Sequence, residues 1–253
     1  MISNSLPAIP LAARIDRYLS KKLLDLIEIK MIKPSYDPEL EPLPGNSNGS
    51  PKGDFYFISS EMDLKGGRLA SGDYFRVTVP TFLLSDFSLK YKNAKILPEN
   101  SLLIYPDGGV NFAKESKPLQ APFPVYSVTL CKPQEYPLEL LLGLCTYLKS
   151  SFVLWYLCTM YQTDDLFSVM LSGRLLPLPS DIDLLKRLAI ITNNVILSEL
   201  SILKNIEKFR DYEEKKDIYR REIVKHNSEC ASNMKLIDNE VLRYFCVNKS
   251  EIE

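Results

Sequence analysis

The sequence contains a single histidine, His226, among 253 residues, and that residue follows a segment crowded with charges. A serine or cysteine hydrolase needs a base to activate its nucleophile, so His226 is more simply explained as a capping or solvent-exposed residue. A zinc site needs clustered cysteine and histidine. The five cysteines contain no CxxC pair: Cys131, Cys145, Cys158, Cys230 and Cys246. The sequence therefore predicts no catalytic residue and no metal site, and its thiols are typical of a reduced, cytoplasmic protein.

Nucleotide-binding motifs are also absent from the sequence. There is no GxxxxGK[ST] phosphate loop and no GxGxxG after a predicted strand, so no cofactor is expected. The formal net charge is -1, which argues against a protein that coats nucleic acid nonspecifically but permits a local basic face.

Long uncharged apolar runs are missing as well. The apolar stretch from Leu138 to Tyr161 is interrupted by Glu139 and Lys149, whereas a membrane span needs about 18 or more residues with few charges. Pro7 and Pro10 break the apolar start of the chain, which does not resemble a secretory signal. We expect a protein without a membrane segment.

Short β patterns fill the first half of the chain. Residues 27–32 (IEIKMI) alternate like a strand after a helical pattern that begins at Ala12, and residues 33–53 form a loop rich in proline and glycine. Strand candidates follow at 55–58, 74–79, 102–105 and 125–130, separated by glycine-containing turns. This half is predicted to be a curved, mainly antiparallel sheet.

An apolar helical segment, which we call the spine, follows the β half. Leucines and aromatic residues recur there every three or four positions, so one buried helix is predicted over residues 137–161. A polar insert over residues 162–174 separates this helix from Leu175-Leu176-Pro177-Leu178-Pro179. The second proline ends regular structure before the last third of the chain.

The last third is predicted to be helical. Ser180 is the expected N-cap, and Leu188, Val195, Ile202 and Phe209 repeat every seven residues. This repeat predicts a long helix or an antiparallel helical hairpin. The sequence thus indicates an α+β protein with two domains, a β-rich unit over residues 1–179 that includes the spine, and helices over residues 180–253.

Three phrases in order resemble the specificity region at the carboxyl end of bacterial DNA N6-adenine methyltransferases, of the TaqI-like and type IIG restriction-modification kind. The first is LLIYPDGG at residues 102–109, and the second is LLLGLCTYLKSSFVLWYL at 140–157, with LLPLP at 175–179 after the insert. The third, residues 237–253, is similar to the terminal pattern ID-x-x-V-x-x-L-Y-G-L-t-x-x-E-I-E. The chain departs from that pattern with Phe245-Cys246 where Tyr-Gly is usual, which is expected to loosen the turn without changing its role.

The resemblance implies a target recognition domain that binds double-stranded DNA in bacterial restriction-modification or phage defence. The family's Asn/Asp-Pro-Pro-Tyr/Phe motif is missing here. The resemblance therefore implies that methyl transfer belongs to a separate subunit or domain that binds S-adenosylmethionine. Phosphate contacts would fix the register and a few side chains would read base edges in the major groove. The candidate contacts are Lys65, Arg68, Arg76, Lys90, Tyr91, Lys92, Asn111, Lys114 and Arg174.

Two other functions stay open at this point. One is a protein like the specificity subunit of a type I restriction system, with the long helix as a spacer and a possible homodimer through the C-terminal helices. That family's Pro-Pro-x-x-Glu-Gln phrase is not supplied by Pro179-Ser180-Asp181. The other is a defence-system scaffold that binds protein rather than DNA.

Overall fold

The computed structural model describes residues 15, 24–34, 55–57, 67–71, 75–79, 86–87, 95–106, 109–121, 123–131, 133–163, 165–172 and 178–252. Over these residues the chain is α+β, as predicted, with mainly antiparallel sheets and five α-helices. The helix predicted from Ala12 lies outside the described residues apart from Ile15 and the short 3-10 turn at Leu24–Leu26. The loop predicted over 33–53 also lies outside them after Pro34.

Ten short strands are described. They are β1 (Ile27–Ile32), β2 (Phe55–Phe57), β3 (Gly67–Ser71), β4 (Phe75–Val79), β5 (Asp86–Phe87), β6 (Lys95–Leu97), β7 (Ser101–Ile104), β8 (Val110–Ala113), β9 (Lys117–Gln120) and β10 (Val125–Leu130). The strands predicted at 27–32 and 125–130 are confirmed to the residue, and the strand predicted at 102–105 lies one residue earlier. The strands predicted at 55–58 and 74–79 are confirmed over their described residues, 55–57 and 75–79.

The strands form two four-stranded sheets and one ribbon. The first sheet has the order β1-β10-β7-β8 and is antiparallel throughout, with Ile27 opposite Leu130 and Leu103 opposite Asn111. The second has the order β5-β2-β9-β6, in which β2 and β9 run parallel. Strands β3 and β4 pair only with each other among the described strands.

The five helices are α1 (Pro137–Leu148), α2 (Ser151–Tyr161), α3 (Leu166–Leu171), α4 (Ile182–Asp211) and α5 (Lys216–Tyr244). The single helix predicted over 137–161 is therefore wrong, because α1 and α2 are separate helices bent by 58°. Ser150 causes the break, since it is extended (ψ 151°) and its side chain caps the first turn of α2. Its hydroxyl also donates to the carbonyl of Tyr147 at 2.6 Å.

Helices α4 and α5 form the predicted hairpin. Contacts between Ser198 and Glu229 and between Arg187 and Glu240 place the two helices antiparallel. The predicted N-cap is one residue early, because the carboxylate of Asp181, not Ser180, accepts from the first turn at 2.9 Å. Ser180 instead bonds to the Tyr244 hydroxyl at 2.7 Å, which fastens the start of α4 to the end of α5.

One hydrophobic core joins the first sheet to the helices. It contains Leu102 and Phe112 from β7 and β8, Leu141 and Tyr147 from α1, and Leu188 and Val241 from the hairpin, among others. A smaller cluster around Leu103, Tyr105 and Leu119 fills the space between the two sheets. The main core continues across residue 179, and the division into two domains at that residue stays a prediction.

At its closest point, α1 meets α4 backbone to backbone. A Cβ placed on Gly143 would lie 2.0 Å from the carbonyl oxygen of Leu185. One turn further on, the hydroxyls of Thr146 and Thr192 are hydrogen-bonded at 2.5 Å, and both residues are fully buried. Glycine at position 143 therefore sets the distance at which the spine packs on the hairpin.

Candidate nucleic-acid interface

Five of the nine predicted DNA contacts lie outside the described residues. They are Lys65, Lys90, Tyr91, Lys92 and Arg174. Two more, Arg68 and Arg76, lie on the described backbone of the β3–β4 ribbon, where Arg68 is opposite Thr78 and Arg76 is opposite Ala70. The two arginines thus occupy nearby positions of one antiparallel two-stranded ladder.

Asn111 and Lys114 differ in exposure at the first sheet. Lys114 is exposed just after β8, where its carbonyl accepts from the amide of Asn100 at 3.3 Å. Asn111 is only 2% exposed and lies within β8, opposite Leu103. A side chain at this position does not reach a DNA groove, so Asn111 is a structural residue of the sheet in this conformation.

The predicted polar insert after α2 contains a short helix. In α3, the side chains of Leu166, Phe167 and Val169 are buried, and the Phe167 ring lies 4.9 Å from that of Tyr126 on β10. The Asp165 carboxylate caps this helix by accepting from Phe167 N–H at 2.8 Å. The insert is therefore anchored to the first sheet up to Ser172, and is not an open polar loop over its described length.

The spine is tied to the first sheet through Lys149, at the C-terminal end of α1. Its Nζ donates to the carbonyl of Val110 at 2.9 Å. Desolvation lowers the pKa of Lys149 below its ordinary value, while Cys145 and Glu199 act in the opposite direction. This lysine positions the strand that follows the 102–109 phrase against the helix of the 140–157 phrase.

The spine is tied to the chain's carboxyl end at the start of α2. Asp238 accepts a hydrogen bond from the amide of Ser151 at 3.0 Å, where the helix amino terminus favours a negative group. The rings of Phe152 and Phe245 are stacked with their centroids 4.0 Å apart. Phe152 and Phe245 are both fully buried, so the two phrases share one aromatic contact inside the core.

The end of α5 has a left-handed residue at Cys246, whose φ is 52°. The amide of Val247 bonds to the carbonyl of Leu242 at 3.0 Å and that of Cys246 bonds to Arg243 at 3.1 Å, which is a Schellman termination. Immediately afterwards, Asn248 and Glu251 form a capping box. The resemblance implied that Phe245-Cys246 loosens this turn, but both hydrogen bonds of a Schellman termination are present.

Sequence interpretation missed a polar cluster in the groove between α4 and α5. His226 lies within α5, not at a helix end, and its Nδ1 is 2.8 Å from the Glu229 carboxylate, which also accepts from Ser198 at 3.3 Å. The hydrogen bond with His226 lowers the pKa of Glu229. The spacing of three residues between His226 and Glu229 on a helix was the available signal.

Over the described part of the chain, no group of three or more His, Cys, Asp or Glu residues is arranged to hold a metal ion. Burial raises the pKa of the Cys145 thiol to about 12 and that of Cys230 to about 11. Neither thiol is therefore suited to act as a nucleophile.

Among the described helices, none is by itself long and apolar enough to cross a membrane. The bent pair α1–α2 satisfies that length and composition together, but nine residues of α1 are buried inside the protein.

No protein-family model, curated protein or solved structure matches this chain.

Proposed function

We propose that this chain recognises specific double-stranded DNA sequences for a bacterial adenine methyltransferase of a restriction-modification or phage-defence system. Methyl transfer would belong to a separate S-adenosylmethionine-binding subunit or domain. The proposal rests on the three resembling phrases and on one structural observation: these phrases, far apart in sequence, pack against one another.

The contacts among the phrases are specific. The first phrase meets the second through Leu102 and Ile104 in the common core, reinforced by the bond from Lys149 to β8. The second meets the third through the Phe152–Phe245 stack and the Asp238 hydrogen bond. This packing is what the proposal expects of three phrases that belong to one recognition domain.

The terminal pattern also makes physical sense position by position. Ile237 and Val241 of that pattern are buried in the core, with exposures of 1% and 0%. Cys246 has the left-handed conformation that glycine adopts at no steric cost, and it stands where the family pattern has glycine. Asn248 and Glu251 form a capping box, which the family's "t-x-x-E" would form equally well.

The β3–β4 ribbon is the element best suited to contact DNA. The major groove admits a two-stranded β-ribbon, and Arg68 and Arg76 lie close together on this one. Arginine is the side chain most often used to read guanine there. Outside the ribbon, Lys114 is retained as a proposed groove contact and Arg174 as a proposed phosphate contact.

The test is binding of fluorescent duplex DNA across a salt series. We expect log Kd to rise linearly with log salt, since bound phosphates release counterions. Replacing a phosphate-contacting cation, as in Arg174→Ala, should lower that slope by about 1 on every duplex. Lys235→Ala, at an exposed position on α5, is the matched control and should leave the slope unchanged.

Absence of binding to any duplex at low salt, with or without a methyltransferase partner, would contradict the proposal and favour a protein-binding scaffold. A second candidate, a type I specificity subunit, is favoured by one observation, the hairpin of two helices of 30 and 29 residues. A bipartite target with two half-sites would distinguish that candidate.

A further inference from the structure

The outward face of α4 carries four residues spaced by seven positions, which we call the α4 stripe. It consists of Asp183, Ile190, Leu197 and Lys204. Ile190 is 63% exposed and Leu197 is 62% exposed, on the side of the helix opposite the buried Leu188 and Val195. Two large aliphatic side chains seven residues apart therefore lie exposed on the same face of the helix, where a second helix could cover them.

The surroundings of the stripe resemble the rim of an interface. Leu200, 52% exposed, extends the apolar centre on one side. On the other side lies the polar groove between α4 and α5, which is lined by Asn194, Leu197, Ser198, Ser201, His226, Glu229 and Asn233. An apolar centre with a polar border is the usual anatomy of a protein–protein contact.

We propose that α4 pairs in antiparallel orientation with α4 of a second copy of this chain. The two-fold axis passes midway between Asn193 and Asn194. In this register Ile190 lies against Leu197 of the second copy, and Asp183 lies against Lys204 of the second copy. The symmetry repeats both contacts, so the stripe buries four aliphatic side chains between two pairs of opposite charges.

Charge selects this partner and this register. A parallel pair would bring Asp183 onto Asp183 and Lys204 onto Lys204, which is unfavourable at both ends. Moving the axis to Leu197 would place Ile190 against Lys204, and a single Leu197–Leu197 contact would replace the two Ile190–Leu197 pairs. The register proposed here brings no like charges of the stripe together.

The groups beside the stripe are compatible with the pairing. Lys186 and Asp183 form an ion pair at 3.3 Å within α4, but both side chains are exposed, so this pair contributes little and does not compete. Arg187 would face Leu200 of the second copy, where its aliphatic stem can cover the leucine while its charge stays in water. The inference does not depend on DNA binding, because every residue that it uses lies on the helical hairpin.

Sedimentation equilibrium of the full chain over a wide concentration range tests the proposal. We expect a reversible monomer–dimer equilibrium. Leu197→Lys places an unpaired charge at both symmetric positions and should raise the dimer Kd by at least about 100-fold. Val224→Lys is the control, since Val224 is 58% exposed on α5 and lies outside the stripe. It should leave the dimer Kd unchanged.

A charge exchange tests the register. Asp183→Lys and Lys204→Asp alone should each weaken the dimer by about 10-fold, because each puts two like-charged pairs across the interface. The double variant Asp183→Lys/Lys204→Asp restores opposite charges and should recover most of that loss. Circular dichroism verifies that each variant keeps its helix content.

Three results would overturn the proposal. The first is a chain that stays monomeric at every concentration, which would leave the stripe to a different protein. The second is a dimer that Val224→Lys disrupts and Leu197→Lys does not. The third is a double charge exchange no better than the single variants.

Discussion

The close approach of α1 and α4 at Gly143 makes the strongest stability prediction. In Gly143→Ala the new Cβ would lie 2.0 Å from the Leu185 carbonyl oxygen, 2.6 Å from its carbon and 2.8 Å from its Cα. All three are backbone atoms in the first turn of α4, so none can move aside by a rotamer change. The helices must separate instead, and the buried Thr146–Thr192 hydrogen bond lies within the same contact.

The magnitude follows from two opposing effects. Overpacking of a core costs about 1–3 kcal/mol, and a clash with backbone places this site at or above the upper end. Alanine is better than glycine in a helix interior by about 1 kcal/mol, which offsets part of that cost. We therefore expect Gly143→Ala to lower the free energy of unfolding by about 2 kcal/mol or more.

Urea unfolding followed by circular dichroism measures this change, with Ala231→Gly on the exposed face of α5 as the calibration of helix propensity. Because the obstruction is backbone, shortening the neighbouring side chain in Gly143→Ala/Leu185→Ala should not restore stability. A Gly143→Ala variant that is more stable than the natural chain would refute the close helix contact.

Three further predictions concern single groups. Burial lowers the pKa of Lys149 below 10.5, so between the lowered pKa and 10.5 the unfolded state binds more protons than the folded state. Stability from this group should rise with pH across that window, and the rise should vanish in Lys149→Met but persist in Lys235→Met. Iodoacetamide should modify three thiols quickly in the folded protein and two only after unfolding; the slow pair, identified by mass spectrometry, should be Cys145 and Cys230. Cys246→Gly should stabilise the protein by about 1 kcal/mol in urea unfolding by relieving the left-handed cost, and no gain there would contradict the Schellman termination.

Strands and the helical hairpin could be predicted from the sequence because their patterns are local. The alternation in IEIKMI and VYSVTL gives β1 and β10 to the residue, and the heptad from Leu188 to Ile202 gives the buried face of α4. Packing partners could not be predicted in this way. The parallel pairing of β2 with β9 joins segments about sixty residues apart and depends on tertiary contacts alone.

Two predictions failed, one at Ser150 and one at Asn111. The first failed because one polar residue outweighs a long apolar pattern. Ser150 ends the spine helix although apolar residues continue at helical spacing on both sides, because a hydroxyl that caps the next helix stabilises the break. Asn111 was predicted as a DNA contact because it follows a glycine turn, yet strand register places it in the core. The burial of Asn111 could not be predicted from an alternation of polar and apolar residues along VNFA, since all four residues of β8 are buried.

Selection from a library of random duplexes tests the proposed function most directly. The purified chain, alone and with a methyltransferase partner, is incubated with the library at near-physiological salt, and bound duplexes are sequenced over successive rounds. Sequence-specific recognition predicts enrichment of one short motif, and Arg68→Ala or Arg76→Ala should relax that motif at defined positions. Recovery of duplexes with no common motif, or of no duplexes at all, would contradict it.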